Sequence, residues 1–268
     1  MTAKNLAAHM ATVLFDASIT SLMENLKVIV KDTIPSATFT VSGGDTGIVT
    51  FGGASFAIMY IAAPYPPADF DRLLLNNYVL KNSQTIKEQQ KSHIIISSLS
   101  TANNLSESIQ QACALTHLTA VVAQLQDILA VLWNTSGVIQ SPDEFNQSLS
   151  SMGKAMAAQQ AGQVGGHLLP ITLWVGLRFY SPTQNENAMG VVSKGMNAFT
   201  GTELNLLPAD RKNMVAAQEL YALISYTFYS GLALRNGDSL ELGEYNYSVV
   251  LKDDTALVSR VQGKGGVR

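Results

Sequence analysis

The order of short apolar segments between residues 10 and 98 limits the folds open to this chain more than any other feature. Residues 10–15 (Met-Ala-Thr-Val-Leu-Phe) read as a strand, and after Ser18 the side chains Ile19, Leu22, Met23, Leu26 and Ile29 recur at helical spacing. Pro35 closes that helix. Residues 37–41 and 48–51 flank Ser42-Gly43-Gly44-Asp45-Thr46-Gly47, which predicts a hairpin. Gly52-Gly53 bends the chain, as a bulge or tight turn, into a strand over 56–62 that Pro64, Pro66 and Pro67 terminate. From Pro67 onward Phe70, Leu73, Leu74 and Tyr78 keep a helical period, and residues 93–97 supply a last strand. The sum is β-α-β-β-α-β, so the expected fold is α+β: a ferredoxin-like N-terminal lobe with two helices on one face of an antiparallel sheet.

Asn103 or Asn104 caps the next helix. Its apolar residues from Ile109 to Leu132 occupy more than one stripe, which predicts a long central helix ending at Trp133 and covered on several sides. His117, Gln124, Gln126 and Asp127 make this stretch too polar for a membrane span. Pro142-Asp143-Glu144 opens a short helix through Leu149. Glycines 153, 162, 165 and 166, set among Ala and Gln, mark residues 153–168 as a connection between an N-terminal lobe (1–152) and a second α+β lobe (169–268). In the second lobe, strands are expected over 171–180, 188–193, 202–206, 239–242 and 245–251. Pro208 opens a helix that turns Val215, Leu220, Leu223, Ile224 and Phe228 inward, and the glycine-containing tail 262–268 frays. Gly47-Ile48-Val49 echoes Gly190-Val191-Val192, and Pro67-Ala68-Asp69 recurs as Pro208-Ala209-Asp210 at nearly equal spacing, which suggests a duplicated α+β unit.

Composition narrows the function classes. With 17 basic against 20 acidic residues and 14% charged overall, no electrostatic excess is available to hold nucleic-acid phosphates or an anionic membrane. Lys81, Lys87 and Lys91 are diluted by amides and read as a solvated face. The apolar residues from Leu6 to Phe15 are interrupted by His9, followed by Asp16, and lack a cleavage pattern, so no signal peptide is expected; the single Cys113 suits a reducing cytoplasm. The loop 42–47 joins two strands and lacks a lysine, which makes it a hairpin turn rather than a phosphate cradle. His9, His93, His117 and His167 are scattered, so no metal site is predicted; His117 is read as a hydrogen-bonded helix-packing residue. Asp69 with Asp71 and Asp143 with Glu144 fall in first helical turns, while Glu241, Glu244, Asp253 and Asp254 border strands. No nucleophile elbow surrounds any serine, and neither a catalytic residue nor a cofactor is expected. Trp133, Trp174, Phe179, Phe228 and Tyr229 read as core or lobe-interface aromatics, whereas Tyr65, set among prolines, is expected to be exposed.

Several of these features together resemble a bacterial family catalogued as domain of unknown function 4261. They are the Val13-Leu14-Phe15 strand, His93 before an apolar strand, Leu169-Pro170 with Leu173-Trp174-Val175, and Phe199-Thr200-Gly201-Thr202-Glu203-Leu204. The resemblance implies a cytoplasmic partner of bacterial toxin and secretion systems, the type VI system among them, acting as an immunity protein or adaptor. The expected function is therefore non-enzymatic binding and neutralisation of another bacterial protein, a toxin effector. Loop placement nominates Asp45, Tyr65, Gln184, Asn185 and Glu186 as partner contacts. Two alternatives stay open: a small-molecule enzyme or sensor with a pocket between the lobes, where His117, Glu203 and Asp210 converge, and a homo-oligomer built on an exposed strand edge.

Overall fold

The computed structural model describes residues 6–75, 77, 80, 82–162, 165, 168–182, 188–243 and 245–261. Strand β1 (Met10–Phe15) lies near the middle of the first sheet, and its pleat feeds two cores. Ala11, Val13 and Phe15 face one of them, and Leu14 faces the other. The chain continues through α1 (Leu22–Thr33), β2 (Thr38–Gly43), β3 (Thr46–Phe51), β4 (Ala54–Ile61), α2 (Pro67–Leu74), α3 (Ser83–Gln89) and β5 (Ser92–Ser98). Next come α4 (Leu105–Val122), β6 (Ile128–Trp133), β7 (Val138–Gln140) and α5 (Pro142–Gln160). The first sheet has the order β2-β3-β4-β5-β1-β6-β7, antiparallel at every step. Helices α1 and α4 cover one face, and α2 with α3 covers the other around Phe70 and Ile86.

The α+β class therefore holds, but the strand order differs from the ferredoxin-like one. Gly52 and Gly53, at φ of 57° and 78°, form the two-residue loop of a second hairpin, so three strands rather than two separate α1 from α2. In addition, β5 inserts between β4 and β1.

The long central helix is also shorter than expected. It ends at Val122, and the run up to Trp133 is β6, paired with β1 from Ala11↔Trp133 to Phe15↔Ile128. A strand buried on both faces reads as a continuous apolar run, which periodicity cannot separate from a buried helix. His117 is accordingly not an interior residue: it is exposed on α4 and makes no side-chain hydrogen bond among the described residues.

The second sheet is built from α6 (Ile171–Trp174), β8 (Gly176–Tyr180), β9 (Ala188–Lys194), α7 (Asn197–Thr200), β10 (Glu203–Asp210), α8 (Asn213–Ser230), β11 (Ser239–Leu242), β12 (Tyr245–Lys252) and β13 (Thr255–Val261). Its order is β11-β12-β13-β10-β9-β8, with β10 and β13 parallel. Pro208 opens no helix. It lies in β10, where the register with β9 slips between Leu206 and Ala209, and such an irregularity tolerates a residue without an N–H. Residues 171–174 form one helical turn before the strand, and residues 153–160 continue α5. The tail 262–268 and His167 lie outside the described residues.

The two sheets repeat one plan. Strand β1, helix α1 and the meander β2-β3-β4 correspond to β10, α8 and the meander β11-β12-β13; with β5 set aside, the two strand orders match. The echoed tripeptides do not mark this repeat, since Pro67 opens α2 while Pro208 sits inside β10. One apolar cluster joins the halves through Trp133, Trp174, Phe199 and Phe228. Among the described residues no helix is long and apolar enough to cross a membrane.

A buried polar thread crosses the same junction. The Ser108 hydroxyl donates to the Ala198 carbonyl at 2.8 Å, so it accepts from Nε2–H of His9, also at 2.8 Å. The Nδ1 of His9 is buried without a partner, its ring packed on Phe199 and Trp133. Burial lowers the imidazole from 6.5 to about 4. Between those values the unfolded chain binds a proton that the folded chain refuses, so stability falls as pH drops through this window. The expected loss by pH 4 is about 3 kcal/mol from this group. Urea unfolding across this pH range should show a steeper acid loss for the natural chain than for His9→Gln; parallel curves would refute the assignment.

Candidate functional site

The first sheet ends in β7, the second in β8, and the two ends meet. A Cβ on Gly176 would lie 2.8 Å from the Ser136 carbonyl oxygen, and one on Gly195 (φ 101°) 2.8 Å from that of Trp174, so glycine permits the close approach. The Ser136 hydroxyl donates to the Leu173 carbonyl at 3.0 Å and fastens the β6–β7 turn to α6.

Beside this seam opens a cleft of about 920 Å³. One wall is α5, started by Pro142 in its first turn and by a reciprocal cap in which Ser141 and Glu144 satisfy each other's backbone N–H. Glu144, Gln147, Ser148 and Ser151 line the cleft from this helix. Their spacing of three and four residues places them on one face. The opposite wall carries Met214, Ala217 and Tyr221 of α8, at the same spacing, with Leu177 and Phe179 of β8. Val138 and Ile139 of β7 close the floor.

The two strand edges are treated differently. Asn77 closes the edge of β7: its Oδ1 accepts from the Ile139 N–H at 3.0 Å and its Nδ2 donates to the Gly137 carbonyl at 2.8 Å. Strand β8 is the terminal strand of its sheet, paired with β9 on one side.

The polar groups of the cleft differ in how far they are committed. Glu144 Oε2 accepts from the Ser141 N–H at 2.8 Å and its hydroxyl at 2.9 Å, and Ser148 donates to Gln140 Oε1 at 3.0 Å. The Tyr221 hydroxyl donates to the Val175 carbonyl at 3.2 Å, and burial pushes the phenol up to about 12, so it holds its proton near neutral pH. Gln147, Ser151, Thr172 and Asn213 make no side-chain hydrogen bond among the described residues and face the open space.

A second cavity of about 600 Å³ lies where α4 meets the end of α8, lined by Phe51, Cys113, His117, Met156 and Tyr229. Cys113 and His117 share a face of α4, but burial pushes the Cys113 thiol up to about 12, so it carries little thiolate. The His117 ring sits edge-to-face with Phe51, 6.3 Å away between centroids.

Of the residues nominated from the sequence, Asp45 and Tyr65 do not line this cleft. Asp45 is exposed in the β2–β3 turn and lends only its carbonyl, to the Tyr60 N–H at 2.9 Å. Tyr65 is half-buried rather than exposed. It packs edge-on against His93, its N–H donates to Gln90 Oε1 at 3.1 Å, and burial, with Asp69 nearby, raises its phenol. Gln184, Asn185 and Glu186 lie outside the described residues.

Nor do His117, Glu203 and Asp210 converge. Glu203 and Asp210 sit at opposite ends of β10, about 23 Å apart at strand rise. Glu203 is occupied as a local clasp: its carboxylate accepts from the Ser193 hydroxyl at 2.5 Å and from the N–H groups of Gly195 and Met196 at 2.8 and 3.1 Å.

Among the described residues no group of three or more His, Cys, Asp or Glu side chains is placed to hold a metal ion. No match to a known protein family, a curated protein or a solved structure is found for the chain.

Proposed function

We propose that this chain is a non-catalytic binding protein that holds its ligand in the cleft between β7 and β8. The reading keeps the non-enzymatic binding expected from the sequence, takes a small molecule in place of the expected protein partner, and moves recognition from loop residues to the seam between the sheets. The observation that carries it is the division of labour in the cleft. The groups able to exchange protons or carry charge, Glu144 through Oε2 and Tyr221, are engaged in intramolecular hydrogen bonds, whereas the uncommitted side chains are amides and hydroxyls. Amides and hydroxyls orient a ligand without transforming it. The cleft volume also matches the roughly 300–1,000 Å³ typical of small-molecule sites.

The test is thermal unfolding of the whole chain against a small-molecule library. A ligand at 100 times its dissociation constant adds about 2.7 kcal/mol to stability. Ala217→Trp, which fills the cleft from a half-buried position on its α8 wall, should abolish that gain. Stabilisation that survives Ala217→Trp, or turnover of a bound compound by the pure protein, would overturn the reading.

A further inference from the structure

Resting on that reading of the cleft, we infer that its ligand is an uncharged molecule, apolar along one side and bearing hydroxyl or amide groups along the other. The helical walls set this division. The α5 row of Glu144, Gln147 and Ser151 is polar, and the α8 row of Met214, Ala217 and Tyr221 is chiefly apolar. Leu177 and Phe179 extend the apolar side.

Charge selection follows from what lines the space. Among the described residues no lysine, arginine or histidine does. The one carboxylate, Glu144, commits Oε2 to Ser141 and leaves Oε1 to accept from a donor. An anionic group entering the cleft would surrender hydration, meet that carboxylate and find, among the described residues, no cation to offset either cost. A hydroxyl has partners of both kinds: it can donate to Glu144 Oε1 and accept from the Gln147 amide. A wholly apolar ligand would bury those groups unpaired, which disfavours it in turn.

Two amphiphiles that share an octyl chain separate these cases: octyl glucoside, with an uncharged hydroxyl head, and octyl sulfate, an anion. Both are titrated below their micelle concentrations into the full chain near neutral pH, by calorimetry and by amide chemical shifts. The glucoside should bind at least about tenfold more tightly than the sulfate. Gln147→Ala combined with Ser151→Ala should weaken glucoside binding severalfold, leave the sulfate as weak as before, and melt like the natural chain, because alanine is a stronger helix former. Ala217→Trp should abolish binding of both. Sulfate binding as tight as that of the glucoside would overturn the ligand class and leave the cleft as a binding site. Binding of neither, or binding indifferent to Ala217→Trp, would overturn the cleft itself.

Discussion

Glu219→Ala should lower the unfolding free energy by about 3–5 kcal/mol, among the largest effects of any single substitution in this chain. Glu219 sits on α8 with 8% of its surface exposed and gathers two guanidinium groups and a phenol. Arg211 Nη1 donates to Oε2 at 2.5 Å, the Tyr247 hydroxyl donates to the same oxygen at 3.2 Å, and Arg260 Nη2 donates to Oε1. Arg211 also donates to the carbonyls of Met189 and Leu207, so this one carboxylate ties α8 to β9, β10, β12 and β13. Removing it leaves the Arg211 charge buried without its counter-ion, beside a second cation. That penalty, rather than the worth of the ion pair itself, sets the size of the effect.

Glu219→Gln, which keeps the shape and loses the charge, should cost less, about 2 kcal/mol. Tyr247→Phe should cost about 1 kcal/mol, since burial and Glu219 hold the phenol up at about 12 and only a neutral donor is lost. Urea unfolding of the three variants ranks them. A Glu219→Ala cost below about 1 kcal/mol would mean that water reaches the cluster and that α8 is fastened elsewhere.

Elements with one face in water are legible in the sequence, and so is β1, which is covered on both faces but kept short by Asp16. Strand β3 shows its alternation as buried Gly47 and Val49 between exposed Ile48 and Thr50, and α1 shows its stripe of Leu22, Met23, Leu26 and Val30. Strand β6 was illegible because both its faces are covered, Val131 and Trp133 on one side and Ala130 and Leu132 on the other, and no Gly or Pro separates it from the apolar run of α4. Strand β13 was missed for another reason. Asp253 and Asp254 read as solubilising charges, yet they are the two-residue loop of the β12–β13 hairpin, and Asp253 at φ 53° adopts the left-handed conformation that aspartate tolerates.

The cleft was the least legible feature. Its α5 row has helical spacing that is visible in the sequence, but a row of Glu, Gln and Ser at that spacing describes any solvated helix face. What makes it a wall is α8, more than sixty residues further on, brought opposite by two sheets whose pairing local patterns do not encode.

Trp174→Ala should cost about 3–5 kcal/mol and lower the melting temperature by about 10 °C, through a cavity where both sheets contribute to the same core. Trp174 is fully buried in the one-turn helix α6. Its ring stacks on Phe199 at 5.7 Å and Phe228 at 6.3 Å, and it meets Trp133 of the first sheet at 6.4 Å. Its indole N–H donates to the Thr116 hydroxyl at 3.0 Å, and that hydroxyl donates onward to the Ala112 carbonyl, so the ring is bonded into α4 as well as packed against it. Trp174→Phe keeps most of the stacking and gives up the indole N–H bond, and it should fall between the natural chain and the alanine variant.

The shape of the transition carries more information than its midpoint. Were the halves independent, Trp174→Ala would weaken the second and leave the first melting as before, giving two steps. A core shared through Trp133, Trp174, Phe199 and Phe228 requires one step that shifts as a whole. Fluorescence of the remaining Trp133 reports the first sheet, and far-ultraviolet circular dichroism reports both. Coincident curves in the variant support the shared core, and separated ones would refute it.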